Sequence, residues 1–454
     1  MQKILQYILR LPRSSGEGGA ILRSAGSTLI VRVAAAFAGF GMHLVLARAL
    51  DVSAYGSYSF LFSICTVLAF VCRLGFQNAL VRIVSSLARE REWSRLRAAH
   101  HLAIGVSALA AVVVWIAITV QSEWGFLRGS VLTGGISHLI PIIVGALALI
   151  GVQEGFLRGL KRPALSLSGD GLARPLATTI IAFVILETGF RFALPGALLC
   201  TAVGACVALL WVTVLCIRAT PPEARGVSLD LSEARTWFGL GLTLLFSGMV
   251  AIVNSRADSI MLGILVSHDE VALYAVASRF AVLLLVPLQA VNAVVAPIIA
   301  ESYAAGERER IQRAVTMASI LIAVATMPAA ALYLGFGDGL LSIFGEQYRA
   351  SYPVLAWLTI GQAINSLCGS VMYLMTMTQH HRAAASVAAA SATVNVALNL
   401  ALIPSLGAKG AAIATASSVA LQNLLLLRLV RKNVGVDPTL FSLIGLLRSR
   451  STKS

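Results

Sequence analysis

Twelve long apolar stretches recur along the chain, separated by short polar segments rich in arginine. They lie at 24–48, 54–75, 98–120, 131–153, 171–188, 195–217, 237–265, 271–299, 313–335, 351–377, 383–404 and 410–428. A hydrocarbon core of about 30 Å needs roughly 20 apolar residues per helical crossing. Backbone groups in lipid must also bond within their own segment. The pattern therefore predicts an all-α polytopic membrane protein with about 12 transmembrane helices. The fifth stretch is the least regular, because it opens on Asp170 and Arg174.

Composition sharpens this reading. The chain is 58% hydrophobic and 12% charged, with a mean hydropathy of +0.85. A soluble domain carries about a quarter of its residues charged. The first 23 residues hold Lys3, Arg10, Arg13 and Arg23, with Pro12, Gly16, Gly18 and Gly19 interrupting a short apolar run. They read as a basic leader on the membrane surface, not as a cleavable signal. All six cysteines fall inside the apolar stretches without a CxxC pair, where they serve as small packing residues.

The net charge of +15 invites a nucleic-acid reading, and its distribution removes the need for one. Of the 35 basic residues, 25 lie in the two tails and in the loops of one side. The opposite side holds four: Arg128, Arg191, Arg349 and Lys409. Such a bias is the positive-inside signature, so both termini are expected in the cytoplasm. The excess charge then reports orientation and contact with anionic membrane lipids, with no nucleic acid as partner.

The chain also repeats itself. Aligning 51–63 with 267–279 sets Tyr58 on Tyr274 at an offset of 216, and aligning 78–93 with 292–310 sets Asn78 on Asn292 at 214. Six spans per half is an even number, so the halves are expected to form two six-helix lobes. A pseudo-two-fold axis along the membrane normal would relate them around a central cavity. The expected organisation is a cytoplasmic leader at 1–23, an N-lobe at 24–217, a linker at 218–236, a C-lobe at 237–430 and a basic tail at 431–454.

The stretch "RADSIMLGILVSHDEVALYAVASRFAVLLLVPLQAVNAVVAPIIAESYAAGERERIQR" (256–313) is similar to the second half of polysaccharide-biosynthesis flippases. "LARALDVSAYGSYSF" (46–60) resembles their first half, and 342–384 a third block. These are O-antigen and capsule flippases of the multidrug/oligosaccharidyl-lipid/polysaccharide exporter superfamily. The resemblance implies movement of an oligosaccharide, linked through pyrophosphate to a polyprenol, from the cytoplasmic to the periplasmic leaflet of a bacterial inner membrane. It implies as partners that lipid-linked glycan and other polysaccharide-assembly membrane proteins. "STLIVRVAAAF" (27–37), "VASRFAVLLLVP" (276–287) and, more loosely, "CRLGFQNA" (72–79) resemble arginine-bearing helices of the cell-wall-precursor flippases. By that resemblance Arg32, Arg279 and Arg73 are the expected cations of the cavity.

Charges within a bilayer are costly, about 2.5–3.5 kcal/mol for a central arginine. Arg32 and Arg279 lie too far inside for easy snorkelling. Arg256 joins them as a candidate substrate cation and Asp258 as the coupling or gating group. Arg256 and Asp258 are two residues apart, about 200° around a helix, and do not face each other. Asp258 is instead expected to pair with Arg279 or to bind a coupling proton or sodium ion. No other cofactor and no metal site is expected. His380 and His381 lack a metal-ligand spacing. Arg174 with Asp170 reads as a packing feature, and Pro287 and Pro297 as the source of a bend in the eighth span.

Three functional classes remain. A lipid-linked oligosaccharide flippase suits cationic mid-span residues, because guanidinium forks match phosphate oxygens. A drug/cation antiporter on the same fold would want cavity carboxylates, and Asp258 is the single deep acid. A membrane enzyme of glycan assembly would need a sizeable loop for its site. The longest non-cytoplasmic loop expected, about 336–350, is too short to fold alone, and no nucleophile or acid/base set converges.

Overall fold

The computed structural model describes residues 17–123, 136–187 and 192–439. The described parts of the first half run α1 Glu17–Ala49, α2 Val52–Cys72, α3 Phe76–Glu90, α4 Trp93–Glu123 and α5 Ile136–Gly159. Then follow α6 Pro163–Ser166, a π-turn at Gly169–Ala173, α7 Arg174–Glu187 and α8 Leu194–Ala219. The second half runs α9 Ala234–Leu265, α10 His268–Leu283, α11 Val286–Ala304, α12 Arg308–Leu341, α13 Tyr352–Cys368, α14 Val371–Met377 and α15 His381–Asn433. Residues 1–16 of the expected leader lie outside the described residues, and 17–23 belong to α1, which starts ahead of the expected boundary at 24. The tail beyond residue 439 also lies outside the described residues.

Ten described helices are long and apolar enough to span a membrane, and α13 with α14 forms an eleventh crossing bent by 46°. At about 1.5 Å per residue the 53 residues of α15 are too long for one crossing. The backbone reverses at Gly407 (φ 55°, ψ −136°). Ser391 then bonds Ser418 O at 2.7 Å and Asn395 bonds Thr415 at 3.3 Å, which makes α15 a hairpin of two spans. The count is therefore twelve: ten, plus the bent pair, plus the second arm of α15. Large apolar side chains such as Ile30, Leu210 and Val324 face outward, as lipid contact requires.

Two spans are more broken than the sequence pattern suggests. The second ends at Cys72, where Leu74 and Gly75 take φ of 46° and 75°. It restarts as α3, which buries Phe76, Ala79, Leu80, Ile83, Val84 and Leu87 along one stripe. This amphipathic α3 carries the chain past the expected end at 75 to Glu90. The eighth span breaks at Leu284–Leu285, ahead of Pro287, which sits in the first turn of α11. Pro287 thus marks the interruption expected of it, as the start of a new helix, while Pro297 stays inside α11.

Within the first half, α5 packs on α8, α4 and α3, and α7 on α8 and α1. Within the second, α15 packs on α13, α9 and α14, and α12 on α13 and α11. The lobes meet where α2 lies on α10 and α9, α3 on α9, and α1 on α11. The meeting is close: a Cβ on Gly56 would overlap the His268 carbonyl oxygen, and one on Gly75 the Gly241 carbonyl oxygen. One end of this seam is sealed by aromatic contact. Phe40 stands 5.2 Å from both Phe280 and Phe344, Tyr55 stands 6.1 Å from Tyr348, and Arg48 donates to Ile343 O at 2.7 Å.

Gly56→Leu is expected to wedge α2 from α10, since the atom in the way is backbone and cannot swing aside. An unchanged thermal stability of the purified variant would show that α2 and α10 are not held this closely.

The linker is tied to the first lobe. Arg95 bonds Asp230 at 3.0 Å and Glu233 at 3.3 Å, and Arg97 bonds Val227 O at 2.5 Å. Ser232 donors, then Arg95, hold Asp230 down at about 2. With its folded-state value below its unfolded one, this carboxylate favours the clamp above its ordinary range and releases it as pH falls through about 2. Acid titration followed at the linker should show no loosening at neutral pH.

Candidate functional site

Two of the sequence-predicted arginines, Arg256 and Arg279, come near each other at the seam from different helices, and a third, Arg73, lies within the first lobe close to Asp170. Arg279 lies eleven residues into α10, about 16 Å from its start. Arg256 lies nine residues before the end of α9, at a similar depth of about 14 Å. Arg279 is within electrostatic reach of Arg174, Tyr55 and Tyr58, and Arg256 is within reach of Arg279, Arg174 and Asp170. Arg73, at the α2–α3 break, reaches Asp170 and Glu154. The Nε atoms of Arg73, Arg256 and Arg279 are buried without a protein partner.

The remaining contacts hold these cations in place. Arg73 donates to Gln77 Oε1 at 2.5 Å and to Leu147 O at 2.9 Å. Its guanidinium occupies the space that a Cβ on Gly151 would take, so a larger residue there would displace it. Arg158 reaches Gln77 O at 3.3 Å, and the Asp170 N–H donates to the Glu154 carboxylate at 3.1 Å.

Arg174 belongs to this cluster, although the sequence reading assigned it to packing. Its Nε donates to Asp170 at 2.5 Å, and its guanidinium lies 5.0 Å from the Phe62 ring centroid. The sequence signal was the i,i+4 spacing of Asp170 and Arg174 at the mouth of a span. Arg32 stands apart. It faces Gln289 of α11 at 3.5 Å, across the α1–α11 side of the seam.

Asp258 does not pair with Arg279. It is buried inside the second lobe, where Tyr274 Oη, Thr415 Oγ1 (2.7 Å) and Asn399 Nδ2 (2.6 Å) all donate to it. The network continues from Asn399 to Asn395 Oδ1 at 3.1 Å, and from Asn395 to Ser418 at 3.3 Å. Asn399 Oδ1 is buried without a partner. Periodicity placed Asp258 on one face of α9 and left its partners on α10 and α15 unreadable.

The repeat shows what is special about this network. Tyr58 bonds Thr201 at 3.0 Å in the first lobe, and Tyr274 bonds Thr415 at 3.4 Å in the second. Asp51 caps α2 and Ser267 caps α10 at the same offset, 267 − 51 = 216. By that offset Asp258 corresponds to Met42, and by 214 Asn399 and Asn395 correspond to Ile185 and Ile181. The Tyr–Thr pair is thus shared by both lobes, while the carboxylate and its amides are confined to one.

Other candidates resolve simply. His380 bonds Thr378 at 3.2 Å, and among the described residues no three His, Cys, Asp or Glu side chains converge as a metal site. Asn292 bonds Ser370, joining α11 to the break between α13 and α14.

Comparison with known proteins adds to this geometry. The profile of the polysaccharide biosynthesis protein family matches residues 21–303, and the MatE profile matches 244–401. A relative in Haloferax volcanii, the probable low-salt glycan biosynthesis flippase Agl15, is 26% identical over 200 residues, 43% of this chain and 42% of that protein. The chain covers less than half the length of the curated relatives it matches. An inward-facing multidrug resistance MATE family transporter of the MOP superfamily shares the fold, with a TM-score of 0.72 at 12% identity over 90% of this chain and 98% of that one. The lipid II flippase MurJ, in an inward closed conformation, also shares it, with a TM-score of 0.69 at 14% identity over 95% and 93%.

Proposed function

The chain belongs to the polysaccharide biosynthesis protein family, and from that premise we propose that it is an alternating-access flippase for polyprenyl-pyrophosphate-linked oligosaccharides. The observation that carries this reading is the set of arginines that both lobes bring to the seam: Arg73 and Arg174 from the first, Arg256 and Arg279 from the second. Two carboxylates, Asp170 and Glu154, offset them only in part. A diphosphate offers oxygens to several guanidinium forks at once, and Nε atoms without protein partners are free to take them. Arg32, on the α1–α11 side, is positioned to meet the headgroup on its way in.

Asp258 is the proposed coupling group, binding a proton or a sodium ion in the second lobe. Its network is support for this, because the first lobe keeps the Tyr–Thr pair with Met42 at the position equivalent to Asp258, so that pair does not itself require a carboxylate. The chain would sit in the bacterial inner membrane with both termini cytoplasmic, which makes the sealed end of the seam periplasmic. Reporters placed at 305–307 should then read cytoplasmic and those at 342–347 periplasmic. The reverse result would invert the proposed direction of transport.

A second reading, a drug/cation antiporter, draws on the MatE match and on the single buried carboxylate of the second lobe. Deleting the gene and analysing lipid extracts separates the two. The flippase reading expects a polyprenyl-diphosphate-linked oligosaccharide to accumulate and surface polysaccharide to be lost. Normal polysaccharide with raised sensitivity to cationic compounds would favour the antiporter.

A further inference from the structure

Asp170 stands among cations without being buried by them. It lies in the π-turn Gly169–Ala173, and its side chain is 41% exposed while that of Arg174, which it holds, is 9% exposed. Arg73 from the α2–α3 break and Arg256 from the opposite lobe are also within its electrostatic reach. Asp170 is therefore a first-lobe anion facing cations of both lobes.

A carrier with a cationic site has a problem that its substrate does not solve. On the loaded stroke a diphosphate neutralises the arginines. On the empty return the same guanidinium groups must pass through a closed, poorly hydrated state, where an orphaned charge is expensive. We propose that Asp170 is the internal counter-anion of the empty carrier, occupying the arginines on the return stroke and yielding them to the diphosphate when substrate arrives. This inference rests on the diphosphate reading above.

The local structure suits a group that must shift. The π-turn is irregular backbone, held by the bond from the Asp170 N–H to the Glu154 carboxylate and by the C-cap bond of Arg174 N to Gly169 O. It can let the side chain swing without unwinding α7. A carboxylate and a phosphate also compete for guanidinium by the same hydrogen-bond geometry, so one can replace the other.

The consequence is opposite effects on binding and on turnover. Purified protein in nanodiscs, probed with farnesyl diphosphate, should bind on the order of tenfold more tightly as Asp170→Asn, since one competing charge is gone. In proteoliposomes the same variant should move a burst of about one fluorescent undecaprenyl-diphosphate-linked sugar per carrier and then stall, because the return stroke has lost its counter-anion. Asp170→Glu should restore part of the steady turnover. Weaker binding by Asp170→Asn would mean that Asp170 merely orients Arg174, and would overturn the proposal. Unchanged affinity and unchanged turnover would overturn it as well. If the wild-type protein itself neither binds farnesyl diphosphate nor moves the lipid, the diphosphate reading falls and this inference falls with it. A wild type that binds and moves the lipid, beside an Asp170→Asn variant that behaves identically, removes the counter-anion role alone.

Discussion

Arg279→Ala is expected to abolish export of surface polysaccharide while the protein stays in the membrane at close to its normal level. Arg279 sits deep in α10 with Arg174 and Arg256 near it, and its Nε has no protein partner, so its removal relieves repulsion and orphans no carboxylate. On the proposed diphosphate substrate, what is lost is a charge-assisted fork, about 1.5–3 kcal/mol per hydrogen bond to a charged group. That is roughly a 10- to 150-fold loss of binding from one contact. Arg279→Lys keeps the charge and loses the fork, so it should be impaired but partly active. Substrate binding should weaken as salt rises, though less than at an exposed site. Normal export by Arg279→Ala would remove the best residue of the cationic site.

If Asp258 has the proposed coupling role, Asp258→Asn is expected to lower transport by about an order of magnitude with expression and insertion intact, since the polar network keeps its size. Asp258→Ala should be worse, because Tyr274, Thr415 and Asn399 would each lose a buried acceptor. Each such loss costs about 1–3 kcal/mol of stability. The two sites are separate: Asp258 receives neutral donors within the second lobe, and Arg279 faces Tyr55 and Tyr58 of the first. A double-mutant cycle between Asp258→Asn and Arg279→Ala in a stability assay should therefore give a coupling near zero. Wild-type transport by Asp258→Asn would end the coupling role.

Much of this architecture was legible in apolar length, loop charge and the offset of the repeat. Twelve spans could be located because a membrane helix must be continuously apolar, and the repeat surfaced in Tyr58 and Tyr274, which hold the same contact in each lobe. The breaks were legible only in part. Pro287 pointed to the interruption of the eighth span, which falls just ahead of it at Leu284–Leu285, whereas Leu74–Gly75 carries no proline and its left-handed turn gave no comparable signal. Single residues at the site divided in the same way. An arginine deep in a span announces itself by its cost, so Arg32 and Arg279 stood out. Partners across helices do not, which is why Arg279 was one expected partner of Asp258 and why Tyr274, Thr415 and Asn399 were not assigned to it. Arg174 and Asp170 were read as a packing feature, and only the fold brings Arg256 and Arg73 near the same carboxylate.

The most direct measurement reconstitutes the purified protein in liposomes and follows a fluorescent polyprenyl-diphosphate-linked disaccharide becoming accessible to a membrane-impermeant quencher, beside a lipophilic cation as the competing substrate. Protein-dependent movement of the diphosphate lipid, lost in Arg279→Ala, with no transport of the cation, is the predicted result. Cation transport driven by a proton or sodium gradient, with the diphosphate lipid left in its original leaflet, would contradict it.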